Sequence, residues 1–384
     1  MKHYSFCMII IVFLLVSCNG TKNGDFLEIP VNFGKNISSQ LPLSEIAETI
    51  TAIELELSDE SLLNPKRGVM KRIILFEDYV FIAQPDKIFV FDINGQFVRS
   101  IGSKGQGPGE YFGIMSMAID EINRRLYVSA YHKIICYDLD GNFLKETSMI
   151  KKGESEIAIK DINYINNEVW ILAQSMKNED ENGLYNQVEI FRLNDDLHII
   201  DRYTTQKIYE RPRFFVSPVE DYILYLDSTV YYYYPNKALS PGFRNIRRPS
   251  VNQVLQDTLY RFKNNQLVPE LKLKFKNNGI GGDGYLNIDL NIFRSSRYVF
   301  SEYIDYSSID SNGFYASFCF CHDTKTGKGY NVRDGFTDDI QHIEKIAIRP
   351  FHTNPEMFYY WYTHMNPDDL EEPNPTLYIG KLKK

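Results

Sequence analysis

Residues 91–113 read FDINGQFVRSIGSKGQGPGEYFG, and residues 137–147 echo them as YDLDGNFLKET. Phe89, Phe91 and Ile93 alternate with Val90, Asp92 and Asn94, and alternate side chains of a strand face opposite sides of its sheet. Asn94-Gly95 is expected to supply the two φ > 0 positions of a type I′ hairpin, after which Phe97, Val98 and Ile101 resume the strand. In the second copy Ile134, Ile135 and Tyr137 lead into Asp140-Gly141, and Phe143 and Leu144 follow. Asp92 to Asp138 and Gly95 to Gly141 are both 46 residues apart, a spacing that suits one four-stranded unit of a radial repeat. Between the copies, residues 102–109 hold four glycines and one proline, which excludes helix or strand interior. We expect a close-packed crossover in which Gly105, Gly107 and Gly109, with the turn glycines Gly95 and Gly141, are structural.

The run IGSKGQGPGEYFGIMSMAIDEINRRLYVSAYHKIICYDLDGNFL resembles an NHL-type repeat: a glycine-rich turn ending in an aromatic, an apolar strand, a polar turn, an LYV strand and a YD-x-x-G hairpin. The wider chain, with its GQGPGEY loop and its leader, resembles the six-bladed propeller lipoproteins of Bacteroidetes (NHL/TolB-like propellers). The clear match covers roughly residues 70–200. The resemblance implies an all-β fold, a six-bladed β-propeller with four-stranded antiparallel blades. The count of six comes from the family and from length: about 330 residues over six blades gives ~55 each, a little above the ~40–50 usual for such repeats.

Residues 1–17 have a weakly basic start (Lys2, His3) and an apolar run from Phe6 to Val16, too short to span a bilayer and typical of a secretory signal. The run ends in Leu15-Val16-Ser17-Cys18, which resembles a bacterial lipobox. That resemblance implies diacylation of Cys18, which becomes the first residue of the mature chain and its membrane anchor. Residues 18–27 then read as lipidated cysteine and flexible tether, and residues 28–384 as a single propeller domain. Outer-membrane placement in the cell envelope follows by analogy, without a choice of membrane face.

Loss of the leader leaves 41 basic residues against 50 acidic, a net of −9, which disfavours nucleic acid as a general partner because that affinity rests on phosphate neutralisation. The 27 tyrosines and 25 phenylalanines suit strands and argue against a disordered chain. Of five cysteines only Cys136, Cys319 and Cys321 lie beyond Cys18, so this is no disulfide framework.

Along the chain, Ile50–Leu57 (ITAIELEL) alternates as a strand and is expected to pair with Leu377–Leu382 (LYIGKL), closing the ring and removing exposed edges. Blade one is placed at about 72–101 with Tyr79–Ala83 as its inner strand, blade two at about 115–147, and blade three at about 157–202. Blade four takes Tyr222–Leu226, Val230–Tyr234 and Thr258–Phe262. Blade five takes Tyr298–Tyr303 and Phe314–His322, and blade six Lys345–Arg349, Phe358–Tyr362 and the C-terminal strand.

Candidate chemistry is sparse. Arg211, Arg213, Arg244, Arg247 and Arg248 flank or occupy a long loop of blade four, and guanidinium groups bind carboxylate or phosphate bidentately; surface salt bridging is the competing reading. The acidic segment Lys177–Gly183 lacks the spacing of a calcium loop and reads as a hairpin tip. Cys319, Cys321 and His322 faintly suggest metal ligands, but a zinc site needs about four, so no metal is predicted. Gly279–Gly284 satisfies G-x-G-x-x-G without the strand–helix context of a dinucleotide site, and no cofactor is predicted. The aromatic runs Tyr231–Tyr234 and Phe358–Tyr362 suit stacking on sugars or packing between blades. His132, His342 and His364 are dispersed, and no catalytic residue is assigned. The favoured reading is a lipid-anchored envelope binding module for a glycan, a peptide or an outer-membrane partner. The alternative is a metal-dependent lyase or hydrolase with a site in the central channel.

Overall fold

Both faces of the repeated strands are apolar, and the fold shows why. The computed structural model describes residues 26–31, 37–38, 41–64, 72–149, 157–181, 183–209, 223–226, 230–233, 258–263, 266–275, 291–309, 315–364 and 373–384. Sheet 1 is made of Arg72–Phe76, Tyr79–Gln84, Lys87–Asp92 and Phe97–Ile101, each antiparallel to the next. Its residues Phe81, Ala83, Ile88 and Val90 pack toward the next sheet, while Val80, Ile82, Phe89 and Phe91 pack toward the previous one. Each sheet is thus a wedge buried on both sides. Every fully buried aromatic of this kind contributes roughly 1.5–3 kcal/mol.

Sheet 2 comprises Ser116–Asp120, Arg125–Ala130, Lys133–Asp138 and Phe143–Ser148, and sheet 3 comprises Ile157–Ile165, Glu168–Asp180, Gly183–Leu193 and Ile199–Tyr209. Sheet 4 takes Ile223–Leu226, Val230–Tyr233, Thr258–Lys263 and Gln266–Phe275; sheet 5 takes Asn291–Arg294, Tyr298–Ile309, Tyr315–Asp323 and Lys328–Arg333. Sheet 6 takes Arg349–Phe351, Asn354–Tyr362 and Thr376–Leu382, and borrows its fourth strand from the other end of the chain. The architecture is an all-β propeller of antiparallel four-stranded blades. Apolar cores fill the spaces between sheets 1 and 2, sheets 2 and 3, sheets 6 and 1, and through sheets 4, 5 and 6.

The N-terminal segment binds three outer edges in succession. Strand β1 (Leu27–Val31) adds in parallel to Leu271–Phe275 of sheet 4, and β2 (Ile37–Ser38) adds in parallel to Asn331–Val332 of sheet 5. After a single helical turn, α1 (Leu43–Ile46), β3 (Ala47–Glu54) runs antiparallel to Thr376–Leu382 and completes sheet 6. The expected pairing of the two ends is present, with Ile50 opposite Gly380 and Ile53 opposite Leu377. Covering edges in this way removes sites for unwanted strand addition. Sheets 4 and 5 consequently have five strands rather than four, and Leu27 belongs to β1 rather than to the tether.

Other expectations need correction. Gly95 alone of the Asn94-Gly95 pair has positive φ, +85°. Its N–H donates to the Asp92 carbonyl and the Asp92 N–H to the Gln96 carbonyl, which is a type I turn closed by a left-handed glycine rather than a type I′ turn. Gly141, at φ +95°, repeats it. Asn166-Asn167, at φ +50° and +64°, is a turn with two left-handed residues. Tyr79–Ala83 is the second strand of sheet 1; Arg72–Phe76 lies at the inner edge. Lys345 adopts φ +59°, so Lys345–Arg349 does not run as one strand. Ile343–Ile346 pairs instead with Phe336–Asp338 in a separate ribbon, and sheet 6 begins at Arg349.

Candidate site at the end of the central channel

The first strands of sheets 6, 1, 2, 3 and 4 touch one another in that succession. Those of sheets 6, 1, 2 and 3, with the turns that follow them in sheets 6, 2 and 3, enclose a bowl of about 520 Å³ lined by Arg72–Ile74, Ala118–Ile122, Asn163–Asn167 and Phe351–Thr353. In sheets 2, 3 and 6 an apolar strand ends at a tight turn that brings polar residues to the bowl, whereas sheet 1 contributes the start of its first strand, Arg72–Ile74.

Arg72 forms the floor. It is 4% exposed, and its Nη2 donates to Asp161 Oδ1 at 2.7 Å. Nη1 reaches the Met117 carbonyl at 2.9 Å, the Ile162 carbonyl at 2.7 Å and Asn163 Oδ1 at 2.9 Å. Asp161 also accepts from the Ser116 hydroxyl at 2.6 Å and the Ile162 N–H at 2.9 Å. One guanidinium therefore ties the first strands of sheets 1, 2 and 3, and its charge is neutralised in place. Further ion pairs link neighbouring sheets, among them Arg349 to Glu302 between sheets 6 and 5, and Glu270, which takes both Arg261 of sheet 4 and Arg294 of sheet 5.

The rim is hydrogen-bonding. Buried Asp120 accepts the Ile122 and Asn123 N–H groups at 3.1 and 3.0 Å, which fixes the turn that presents Glu121 and the 77% exposed Ile122. Burial first, and then the neighbouring Asp120, push the Tyr164 phenol well above its ordinary pKa, so it stays protonated. Asn166 and Asn167 cap sheet 3, and His352 and Thr353 contribute from sheet 6. Beside the bowl Arg124 and Glu77 pair with each other. The result is a concave surface of amide, imidazole, hydroxyl and carboxylate groups over an aliphatic wall, with the charge on its floor already satisfied.

The sequence-derived candidates fall elsewhere. Cys18 and the arginines Arg211, Arg213, Arg244, Arg247 and Arg248 lie outside the described residues, as does Gly279–Gly284. Gly105 and Gly107 lie against the Glu110 carboxylate, which accepts the Gly107 N–H at 2.8 Å. Gly109 packs beneath Phe143, and its carbonyl accepts the Tyr137 hydroxyl at 2.6 Å. Cys319 and Cys321 are buried in the core of sheets 4 to 6, and burial holds the Cys321 thiol well above its ordinary pKa. Among the described residues no group of three or more His, Cys, Asp or Glu is placed to hold a metal ion. Phe358, Tyr359 and Tyr360 are core residues rather than a platform, while Val230–Tyr233 is a strand whose side chains lie outside the described residues. Asn178–Asp180 pairs with Gly183–Tyr185 as a hairpin tip. Sequence reasoning did not find the bowl. The one available signal was the repeat itself, which puts the turn after each first strand at the same end of the channel.

No helix among the described residues is long and apolar enough to cross a membrane. Over residues 27–384 the chain matches the profile of a domain of unknown function (DUF4934). None of the curated protein sequences matches it. Among solved structures it is similar to a protein described as exported from Bacteroides fragilis, with 15% identity over 94% of this chain and 100% of that one, at a TM-score of 0.59. A protein of unknown function from Bacteroides caccae (10% identity, 75% and 84% covered, TM-score 0.37) is more distant. So is the WD40 β-propeller domain of Doa1 (10% identity, 88% and 97% covered, TM-score 0.40). At such identities the first likeness speaks for the fold alone.

Proposed function

We propose that this chain, which belongs to the DUF4934 family, is a binding module held at the cell envelope, and that its ligand occupies the bowl at the end of the channel. In this reading the six sheets are the blades of one closed propeller, sealed by β3. The cores between successive sheets and the ion pairs that link neighbouring sheets support that closure. Export is supported by the secretory leader and by the exported relative from Bacteroides fragilis. The anchor is a lipid on Cys18, and the membrane is the outer one.

The observation that carries the reading is the bowl itself: turns from sheets 2, 3 and 6 and the first strand of sheet 1 converge on a floor whose only arginine is already neutralised by Asp161. A neutralised floor does not call for an anion, and a rim of asparagine, histidine, threonine and tyrosine suits an uncharged, hydroxyl- or amide-rich ligand such as a glycan or a peptide. The channel-enzyme alternative calls for a free carboxylate or imidazole cluster, whereas Asp161 is committed to Arg72.

Titration of soluble residues 25–384 with neutral oligosaccharides and peptides tests the reading. Asn167→Gly keeps the left-handed turn and removes one amide, and His352→Ala removes the imidazole. Each should weaken binding about tenfold, the effect of leaving a buried partner unpaired at roughly 1–3 kcal/mol. Full affinity in both variants, or turnover of a bound compound, would sink the proposal.

A further inference from the structure

We infer that a second, separate subsite for neutral sugar lies at the opposite end of sheet 2, formed by Phe112 and Tyr131. It is independent of the bowl. In sheet 2, Asp120 pairs with Arg125 at the bowl end and Ser116 with Ser129 at the far end, and Tyr131 sits in the turn just beyond Ala130.

Phe112 is 66% exposed and Tyr131 46% exposed, and their ring centroids lie 6.3 Å apart with the planes inclined by 56°. His132 continues the row at 6.1 Å from Tyr131. Exposure here is not looseness. Buried Tyr111 donates from its hydroxyl to the Ile101 carbonyl at 2.9 Å, and the Ile114 N–H donates to the Pro85 carbonyl at 2.7 Å, so both neighbours of the Phe112–Gly113 pair are fixed. Tyr131 is held as firmly: its carbonyl accepts the Ile159 N–H at 2.8 Å, and the His132 carbonyl accepts the Met149 N–H at 2.7 Å. Tyr131 has φ +53°, a costly conformation for a tyrosine. A Cβ on Gly113 would sit 3.0 Å from Tyr131 Cε2, so the glycine lets the tyrosine ring lie against the chain beside Phe112.

Two inclined rings on a rigid loop form a notch with electron-rich faces, which attract the polarised C–H groups of a pyranose. Two rings are far too small for the ~800 Å² per partner of a stable protein interface, which points to a small ligand such as a single sugar ring. The backbone around the notch is braced by the pairing of Lys104 with Tyr111 and by the Pro85 carbonyl that accepts the Ile114 N–H.

The test is native gel electrophoresis of residues 25–384 through laminarin, mannan, xylan and pullulan. At least one polysaccharide should retard the native protein, and Phe112→Ala and Tyr131→Gly, the latter keeping the left-handed turn, should each cut that retardation at least fivefold with melting temperature retained. The aromatic substitutions are repeated in the Asn167→Gly, His352→Ala background, where any sugar held in the bowl is already weakened, so a further loss of retardation there reports this notch alone and separates failure here from failure of the bowl. Migration unaffected by all four polysaccharides overturns the inference. So does retardation that survives both aromatic substitutions, or that is lost only in the bowl variants.

Discussion

Gly95 lies so close to Glu54 that a Cβ on the glycine would be 1.8 Å from the glutamate carbonyl oxygen. The contact joins the last hairpin of sheet 1 to β3 of sheet 6, and it is reinforced by the Glu56 N–H donating to the Gly95 carbonyl at 2.8 Å. Gly95→Ala therefore meets two obstacles, positive φ and main chain that cannot move without parting two sheets. Gly327, at φ +72°, has nothing within 4 Å of its Cβ position. Urea denaturation should show Gly327→Ala losing about 1 kcal/mol, the cost of the backbone alone, and Gly95→Ala losing at least twice that. Equal losses would mean that the seam between these sheets opens freely.

The buried Arg72–Asp161 pair makes a second prediction. Arg72→Met leaves Asp161 charged and buried, and should cost about 3–5 kcal/mol. The double variant Arg72→Met, Asp161→Leu removes both charges and should recover much of the loss. Equilibrium unfolding of the two single variants and the double gives the coupling directly. If the double variant is as unstable as the sum of the singles, the pair is not the keystone of sheets 1 to 3.

Acid should weaken the fold in two stages. Burial pulls the His322 imidazole below its ordinary pKa, against the opposing pull of Asp323. The Arg297 side chain, bonded to Asp323 at 3.1 and 2.7 Å, holds that carboxyl far below the usual carboxylate range. Both groups have depressed values in the folded state, so the unfolded chain takes up protons first as pH falls, and stability declines with acidification. The histidine contribution is complete above about pH 6.5 and the aspartate contribution above about pH 4. Melting temperature should fall below each of these values, and His322→Gln should flatten the upper stage. An unchanged upper stage in that variant would assign the proton to another group.

Sheets 1 to 3 were legible in the sequence because their information is local. Phe89 to Ile101 carries a strand, a turn and a strand in one run, and Asp92 and Asp138 mark the same turn 46 residues apart. In both copies the aspartate Oδ1 accepts N–H groups two and four residues on, as Asn94 and Gln96 show for Asp92. The β3 pairing was legible too, since ITAIELEL alternates and needs a partner. Strands β1 and β2 were not. Leu27–Val31 is short, includes a proline, and finds its register against Leu271–Phe275 in a distant part of the chain. The candidate bowl was equally hidden, because Arg72 and Asp161 belong to different repeats and no spacing rule links them.

The pairing of β3 with Thr376–Leu382 also bears on how much chain can lie between the two paired ends. Ile50 and Gly380 are 330 positions apart, so this pairing closes one very large loop. The entropy of such a closure rises only with the logarithm of its length, about 0.6 kcal/mol for each doubling. Lengthening any connection between the two paired strands therefore adds little to the free energy of their pairing. The 24 residues between Tyr233 and Thr258, which separate two neighbouring strands of sheet 4, are an insertion this economy of closure permits.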